Sequence, residues 1–367
     1  MLKKRPVIIK NLLSVTLGQL FSGLFWMGSI VLIARYLGVN GFGDFSYIMA
    51  YVNIFQFVAD LGIALIFIRE VAQDKTLLGR YLGNLKSLYW VFSFFSVIII
   101  VLGIRLTTDQ PDVQLAAYPA AVAMVGLFHV YSYTTVFRAF EEMEINSAGL
   151  VISRLVFLLL VFLVIKYDLG LTGLMTVFAL SSLLLWVAYY IIVKKKYIRP
   201  KMSFDLSTCL FMLKEGITSG GTIFLRRTLW YLDTFMLKAL SNSFAVGMFN
   251  SIYQVVQIFY MIPWTLMVPF YPVFSRLFKS NQQQLPGMLN SLLKLSWAVT
   301  LPLAVWTFFI AQLVIETIYG MKFSQAAEGL KIIIWTLPFL FPTALFFSFL
   351  QLSASKNHTL SVSPLPF

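Results

Sequence analysis

Long apolar runs, repeated along the whole chain, restrict what it can fold into more than any other feature. Leu155–Ile165 contains no polar residue and Val91–Leu102 no charged one. A helix needs about 20 apolar residues to cross the hydrocarbon layer of a bilayer. Ten segments read as such spans, at 9–34, 44–68, 87–105, 114–138, 148–166, 171–193, 211–238, 244–270, 288–314 and 329–353. Of the 367 residues, 59% are hydrophobic and 12% charged. A soluble chain carries about 25% charged residues, because its surface must stay dispersed in water. A membrane β-barrel does not fit either, since its strands alternate apolar and polar residues. The expected fold class is an all-α polytopic membrane protein with about ten transmembrane helices.

Lys and Arg fall between the spans. With the N-terminus in the cytoplasm, twenty of the 28 basic residues lie inside, from Lys3, Lys4 and Arg5 to Lys356, with Arg154 among them. Arg35, Arg105, Lys166, Lys238, Lys322 and Lys331 lie outside. This asymmetry is the signal that orients membrane helices, and it predicts a multi-pass protein of the cytoplasmic (inner) membrane. The net charge of +13 therefore reports topology. A nucleic-acid partner would need a soluble basic face, and none is visible. The basic N-terminus runs into the first span without a small-residue cleavage site, which reads as an uncleaved helix. One cysteine, Cys209, excludes an intrachain disulfide, and the two histidines, His129 and His358, are far apart. There is no phosphate-binding glycine loop, nucleophile elbow or zinc motif. No catalytic residue, metal or cofactor is expected, and the chain reads as a transporter rather than an enzyme.

The strongest basic loop, Lys194 to Lys201, falls between spans six and seven. It divides the chain into an N-terminal six-helix bundle (1–196), a C-terminal bundle of four helices (197–353) and an irregular tail (354–367). The two halves repeat weakly. Gly43-Asp44-Phe45-Ser46 opens span two and Gly247-Met248-Phe249-Asn250-Ser251 opens span eight. Both halves start on the same side, so the repeats are expected to be parallel. The four-helix second half leaves two readings, a product that has lost two helices or a natural ten-helix protein.

Several N-terminal motifs carry a resemblance. Asn11-Leu12-Leu13-Ser14 through Gly18, Ile33-Ala34-Arg35-Tyr36-Leu37-Gly38, Gly41-Phe42-Gly43, and Asp60-Leu61-Gly62 to Arg69-Glu70 occur at spacings hard to obtain from a generic membrane chain. Densest over 8–86, the pattern resembles the polysaccharide-export flippases of the multidrug/oligosaccharidyl-lipid/polysaccharide exporter superfamily. The resemblance implies two helical bundles around a central cavity. It also implies a polyprenyl-pyrophosphate-linked oligosaccharide repeat unit as substrate, moved from the inner to the outer leaflet for surface polysaccharide synthesis. Members usually have twelve or fourteen helices, so the four-helix second half departs from the pattern.

Arg226 and Arg227 are the sharpest candidate residues, because they fall near the middle of span seven. A charge there costs about 2.5–3.5 kcal/mol on insertion scales, so such residues normally face a water-filled cavity or a partner. Arginine grips phosphate oxygens bidentately. Asp233 lies on about the same face as Arg226, with Trp230 between them, so a cavity wall for an anion and a structural Arg–Asp pair are both open. Amides at Asn11, Asn53 and Gln254 either line a sugar path or join helices. Asp60, in span two, is an H⁺ or Na⁺ site, a partner for a cavity arginine, or a packing contact. His129 is a proton relay or a satisfied interhelical group. Arg138, Glu141, Glu142 and Glu144 read as a solvated loop, and the prolines of spans eight to ten as hinges or tolerated kinks.

The expected function is flipping of lipid-linked repeat units by alternating access. The expected partners are that substrate, membrane lipid, a coupling H⁺ or Na⁺, and polysaccharide polymerase machinery. A multidrug or metabolite exporter of the same superfamily is one alternative, though it would want an acid-rich interior. A membrane polymerase or glycosyltransferase is another, though the loops are short for a catalytic segment.

Overall fold

The computed structural model describes residues 5–60, 62–259, 285–340 and 342–343, those at 5–14, 57–60, 219 and 222–227 by backbone alone. Among the described residues there is no strand. The helices are α1 (Arg5–Asp60), α2 (Ile63–Gln73), α3 (Leu78–Thr107), α4 (Pro111–Ala139), α5 (Met143–Lys166), α6 (Gly170–Lys196), α7 (Leu206–Leu240), α8 (243–259), α9 (Leu285–Tyr319) and α10 (Ala326–Ile333). Among the described residues six stretches are long and apolar enough to cross a membrane: Val15–Gln56 within α1, Lys75–Thr107, and the whole of α4, α5, α6 and α9. The chain is an all-α, multi-pass membrane protein.

The first two expected spans meet at Gly38, where φ 68 and ψ −173 break the helical path inside α1. The second is broken again at Gly62, between α1 and α2, where φ is 80. Both positions need glycine, because an L side chain at positive φ collides with its own backbone. Other helices overrun the expected spans at their ends. Lys194, Lys195 and Lys196 continue α6, where cations meet the negative end of the helix dipole. Asp205 caps α7, its carboxylate accepting from the Ser207 N–H at 3.2 Å.

The chain divides into two compact units, Met1–Gly247 and Met248–Phe367. In the first, α4 and α6 form the most extensive helix pair. Their seam is made of small side chains. Ala116, Ala120, Ala123 and Gly126 are buried, and a Cβ on Gly126 would lie 2.5 Å from the Ser182 hydroxyl. Helices approach closely in lipid through such residues, because packing replaces the hydrophobic drive available in water. The α1 and α5 helices run parallel, Gly18 against Ser147 and Gly28 against Leu158. In the second unit, α9 runs through Pro302 without interruption, and Ala304 packs with Ile334 and Leu337 in a core edged by Phe259, Phe308 and Leu340.

Candidate functional site

The second half of α1 runs antiparallel to α7, and three contacts fix the register. At one end Lys238 Nζ donates to Asp44 Oδ1 at 2.7 Å and to Ser243 Oγ at 2.6 Å, and Ser243 donates to the same carboxylate oxygen at 2.6 Å. Next, the Tyr51 ring lies 4.7 Å from Phe235, edge to face. At the far end, a Cβ on Gly62 would lie 2.3 Å from the Gly216 carbonyl oxygen and 2.8 Å from Gly220. The Lys238 end is also a close backbone crossing. A Cβ on Gly43 would lie 1.8 Å from the Ser243 carbonyl oxygen, and one on Gly247 would lie 2.1 Å from that of Val39. Val39 stands to Ser243 as Gly43 stands to Gly247, at one sequence offset, so the two repeat motifs cross as symmetric partners.

Between the Tyr51–Phe235 and Gly62–Gly220 contacts, residues 52–60 lie level with 221–234. Arg226, Arg227 and Asp60 all belong to this interval; their side chains lie outside the described residues. Helical periodicity separates the two arginine positions. Position 227 shares the α7 face of Gly220 and Lys238, which packs on α1 and α2. Position 226 lies about 100° round the helix from position 227, in line with Trp230 and Asp233, both exposed. On α1, positions 53, 56 and 60 fall on one face at helical spacing, turned away from Tyr51. Asn53 and Gln56 are half-buried there, and Asn53 Nδ2 donates to the Met49 carbonyl at 2.7 Å. The side chain of Asn11 lies outside the described residues. Gln254, half-buried on α8, belongs to the second unit.

His129 is fully buried between Trp90 and Trp186, each ring centroid 4.5 Å away. Its Nδ1 lies 2.9 Å from the Val125 carbonyl, and Nε2 has no partner among the described residues. A proton carried by this ring would enter through Nε2.

Arg154 is the residue that sequence reasoning misplaced. Counted with the cytoplasmic loops, it lies near the middle of α5, on the face of buried Phe157 and Val161. Its guanidinium carbon lies 4.0 Å from the centroid of the Trp26 ring, which stacks on Phe157 at 5.8 Å. A half-buried cation over a tryptophan face gains about 0.5–2 kcal/mol. No ion-pair partner occurs among the described residues. The signal was present in the sequence, since position 154 falls inside the expected span 148–166.

The loop of mixed charge is partly fastened. Glu142 accepts from Lys196 and from the Tyr197 hydroxyl, and burial together with that hydrogen bond pushes the Tyr197 phenol up from its ordinary range. Among the described residues no group of His, Cys, Asp and Glu has the arrangement of a metal site.

Residues 8–278 match the family model described as polysaccharide biosynthesis protein. The chain belongs to that family. The polysaccharide biosynthesis match covers α1 to α8, and solved structures extend the likeness over nearly the whole chain. An inward-facing multidrug resistance MATE family transporter of the MOP superfamily aligns with a TM-score of 0.69 at 16% identity, over 94% of this chain and 85% of that one. An outward-facing one aligns at 0.60 and 15%, over 97% and 84%. A MATE transporter of Vibrio cholerae aligns at 0.59 and 20%, over 93% and 82%. At such identities the likeness is one of fold: this polysaccharide biosynthesis protein shares the helical fold of those transporters. Comparison with curated proteins gives no match.

Proposed function

We propose that the protein flips polyprenyl-pyrophosphate-linked oligosaccharide repeat units across the cytoplasmic membrane, with its N-terminus in the cytoplasm. The observation that carries this reading is the polysaccharide biosynthesis match over 8–278 on a chain with a transporter fold. The residues add a chemical argument. Positions 226, 230 and 233 line up on α7 about 100° from the Gly220–Lys238 sector that meets α1, and positions 53, 56 and 60 line up on α1 at the same level. A cation, a ring and amides suit a pyrophosphate with a glycan attached. In this reading Arg226 meets the anion, Arg227 supports the α1–α7 seam, and Arg154 over Trp26 supplies a further cation within the first unit. The headgroup enters the cavity while the lipid tail stays in the bilayer, and the bundles rock to open it outward. Asp60 and His129 are the groups to test for H⁺ or Na⁺ coupling.

The test is surface polysaccharide in a host lacking its own translocase. Arg226→Gln removes a charge-assisted hydrogen bond of about 1.5–3 kcal/mol, so export falls roughly tenfold or more. Arg227→Gln keeps a larger share, and the double variant exports nothing while inserting normally. Wild-type export from an inserted double variant overturns the assignment. The multidrug reading draws its support from the MATE structures. It predicts drug resistance on expression, with polysaccharide unaffected.

A further inference from the structure

The segment joining α6 to α7 is a fastened strap. It crosses the first turns of α3 where that helix presents two glycines. A Cβ on Gly83 would lie 2.2 Å from Ser203 Oγ and 3.1 Å from the Lys201 carbonyl oxygen, so the strap backbone rests directly on the helix. Ser87 Oγ donates to the Ser203 carbonyl at 2.8 Å, and the Asp205 N–H donates to Asn84 Oδ1 at 2.6 Å. Between strap and helix is a cavity of about 390 Å³ lined by Gly79, Leu82, Ile198, Arg199, Pro200 and Lys201. Arg199 and Lys201 are exposed and make no ion pair among the described residues. The nearby acids are occupied, Glu142 by Lys196 and Asp205 by Arg80.

This cavity lies in line with an exposed apolar face of α3. Gly83 shares a helix face with Ser87, Trp90 and Phe94, and from Trp90 onward that face is exposed and apolar, with Val91, Phe94, Ile98 and Leu102. Seven residues separate Gly83 from Trp90, a rise of about 10 Å in a helix. That is the depth between a headgroup and the first acyl carbons, with Trp90 at the level where interfacial tryptophans concentrate. The strap continues the pattern. Its basic half is followed by exposed Met202, Phe204 and Leu206, the pairing of cations with apolar side chains that anchors a segment at a membrane surface.

We propose that the α6–α7 strap and the start of α3 form a binding site for an anionic phospholipid. Its phosphate is held by Arg199 and Lys201, and its acyl chains lie along the exposed face of α3. Arginine suits the phosphate because its planar fork spans two oxygens. The net negative charge of the lipid is required, because two unpaired cations line the cavity and no free carboxylate does. The site is separate from the α7 stretch assigned to the transported substrate.

The experiment is native mass spectrometry of the purified full chain, titrated with phosphatidylglycerol and phosphatidylcholine in equal amounts. The wild type retains phosphatidylglycerol in preference. Arg199→Gln with Lys201→Gln lowers that adduct about tenfold and leaves phosphatidylcholine unchanged. Exchanging the two basic types, Arg199→Lys with Lys201→Arg, keeps most of the binding. Lys194→Gln with Lys195→Gln, which removes the same charge outside the cavity, lowers it far less. Equal retention of the two lipids by the wild type overturns the site, whether or not the variants fold. So does an equal loss in both neutralised pairs, which would report diffuse charge. Displacement of the lipid by millimolar inorganic phosphate would mark a free-anion site and overturns the lipid assignment.

Discussion

Helix α7 is tied at both ends, and the two ties differ in kind. At its C-terminal end Lys238 and Asp44 are 9% and 13% exposed, and the cation also lies 5.4 Å from the Tyr47 ring. At its N-terminal end the Arg80–Asp205 pair, 2.8 Å apart, is 57% and 40% exposed. A buried pair that loses one partner leaves an uncompensated charge in a low-dielectric site, at a cost of about 3–5 kcal/mol. An exposed pair contributes about 0–1 kcal/mol, because water screens it and side-chain entropy opposes it. The difference assigns a fixed pivot to the Asp44 end and a releasable clasp to the strap end. On the proposed rocking cycle, α7 would turn on the first and release the second.

The pivot should break first at its glycines. Gly43→Ala places a methyl group where the Ser243 carbonyl oxygen already stands, 1.8 Å away, and Gly247→Ala does the same against Val39. Backbone cannot yield as a side-chain tip can, so overpacking of at least about 1–3 kcal/mol is expected at each position. In the double variant the two losses add unequally, because both fall on one crossing. Folded yield by fluorescence-detected size exclusion should drop sharply for either single variant. Normal yield from Gly43→Ala would show that the crossing is looser than described.

The ion pair sharpens the comparison. Lys238→Met alone should lower the detergent melting temperature markedly, because Asp44 is left buried with only neutral donors, the Ser243 hydroxyl and the Gln110 amide, among the described residues. Adding Asp44→Leu should restore most of the loss, since a well-packed apolar pair replaces a buried ion pair at little cost. Arg80→Gln should shift melting by a small fraction of the Lys238→Met effect. Equal shifts at the two ends would remove the distinction between pivot and clasp.

Much of this was legible in the sequence. Among the described residues, length and hydropathy located α1, α3 to α7 and α9, because a span through lipid must be apolar for its full width, while the expected spans 244–270 and 329–353 run on into residues outside the described ones. The helix starts were less legible, for a reason visible in α3. The expected span begins at 87, whereas the helix begins at Leu78. Arg80, Asn84 and Lys86 make residues 78–86 read as a polar loop. They are polar because the strap docks there, with Arg80 on Asp205, Asn84 on the Asp205 N–H and Lys86 toward the Pro200 carbonyl. Positive-inside counting gave Arg154 to the cytoplasm because it scores charge by distance along the chain. What keeps the residue in the bundle is the face of Trp26, a partner more than a hundred positions away. The candidate stripe on α7 was half legible. Spacing aligned Arg226 with Trp230 and Asp233 and set it apart from position 227, and the register against α1 adds which face of α7 meets that helix.

The smallest effect expected is also the most diagnostic of the clasp. Asp205 accepts from Thr208 Oγ1 at 2.6 Å, Arg80 Nη2 at 2.8 Å and Ser207 Oγ at 2.8 Å, and these bonds hold its carboxyl well below the usual carboxylate range. A carboxylate depressed in the folded state stabilises it above the unfolded pKa of about 3.9, and that contribution is lost only as pH falls through the lower folded value. The clasp is therefore expected to hold unchanged from pH 8 to pH 5. Asp205→Ala removes the α7 cap and the Arg80 partner together, while Asp205→Asn keeps the cap and loses only the charge. Proteolysis within 197–204 reads strap release directly. Faster cleavage in Asp205→Ala than in Asp205→Asn, with no change for wild type across pH 5–8, is the expected order. Cleavage of the wild type that accelerates near pH 6 would mean that some group other than Asp205 holds the strap.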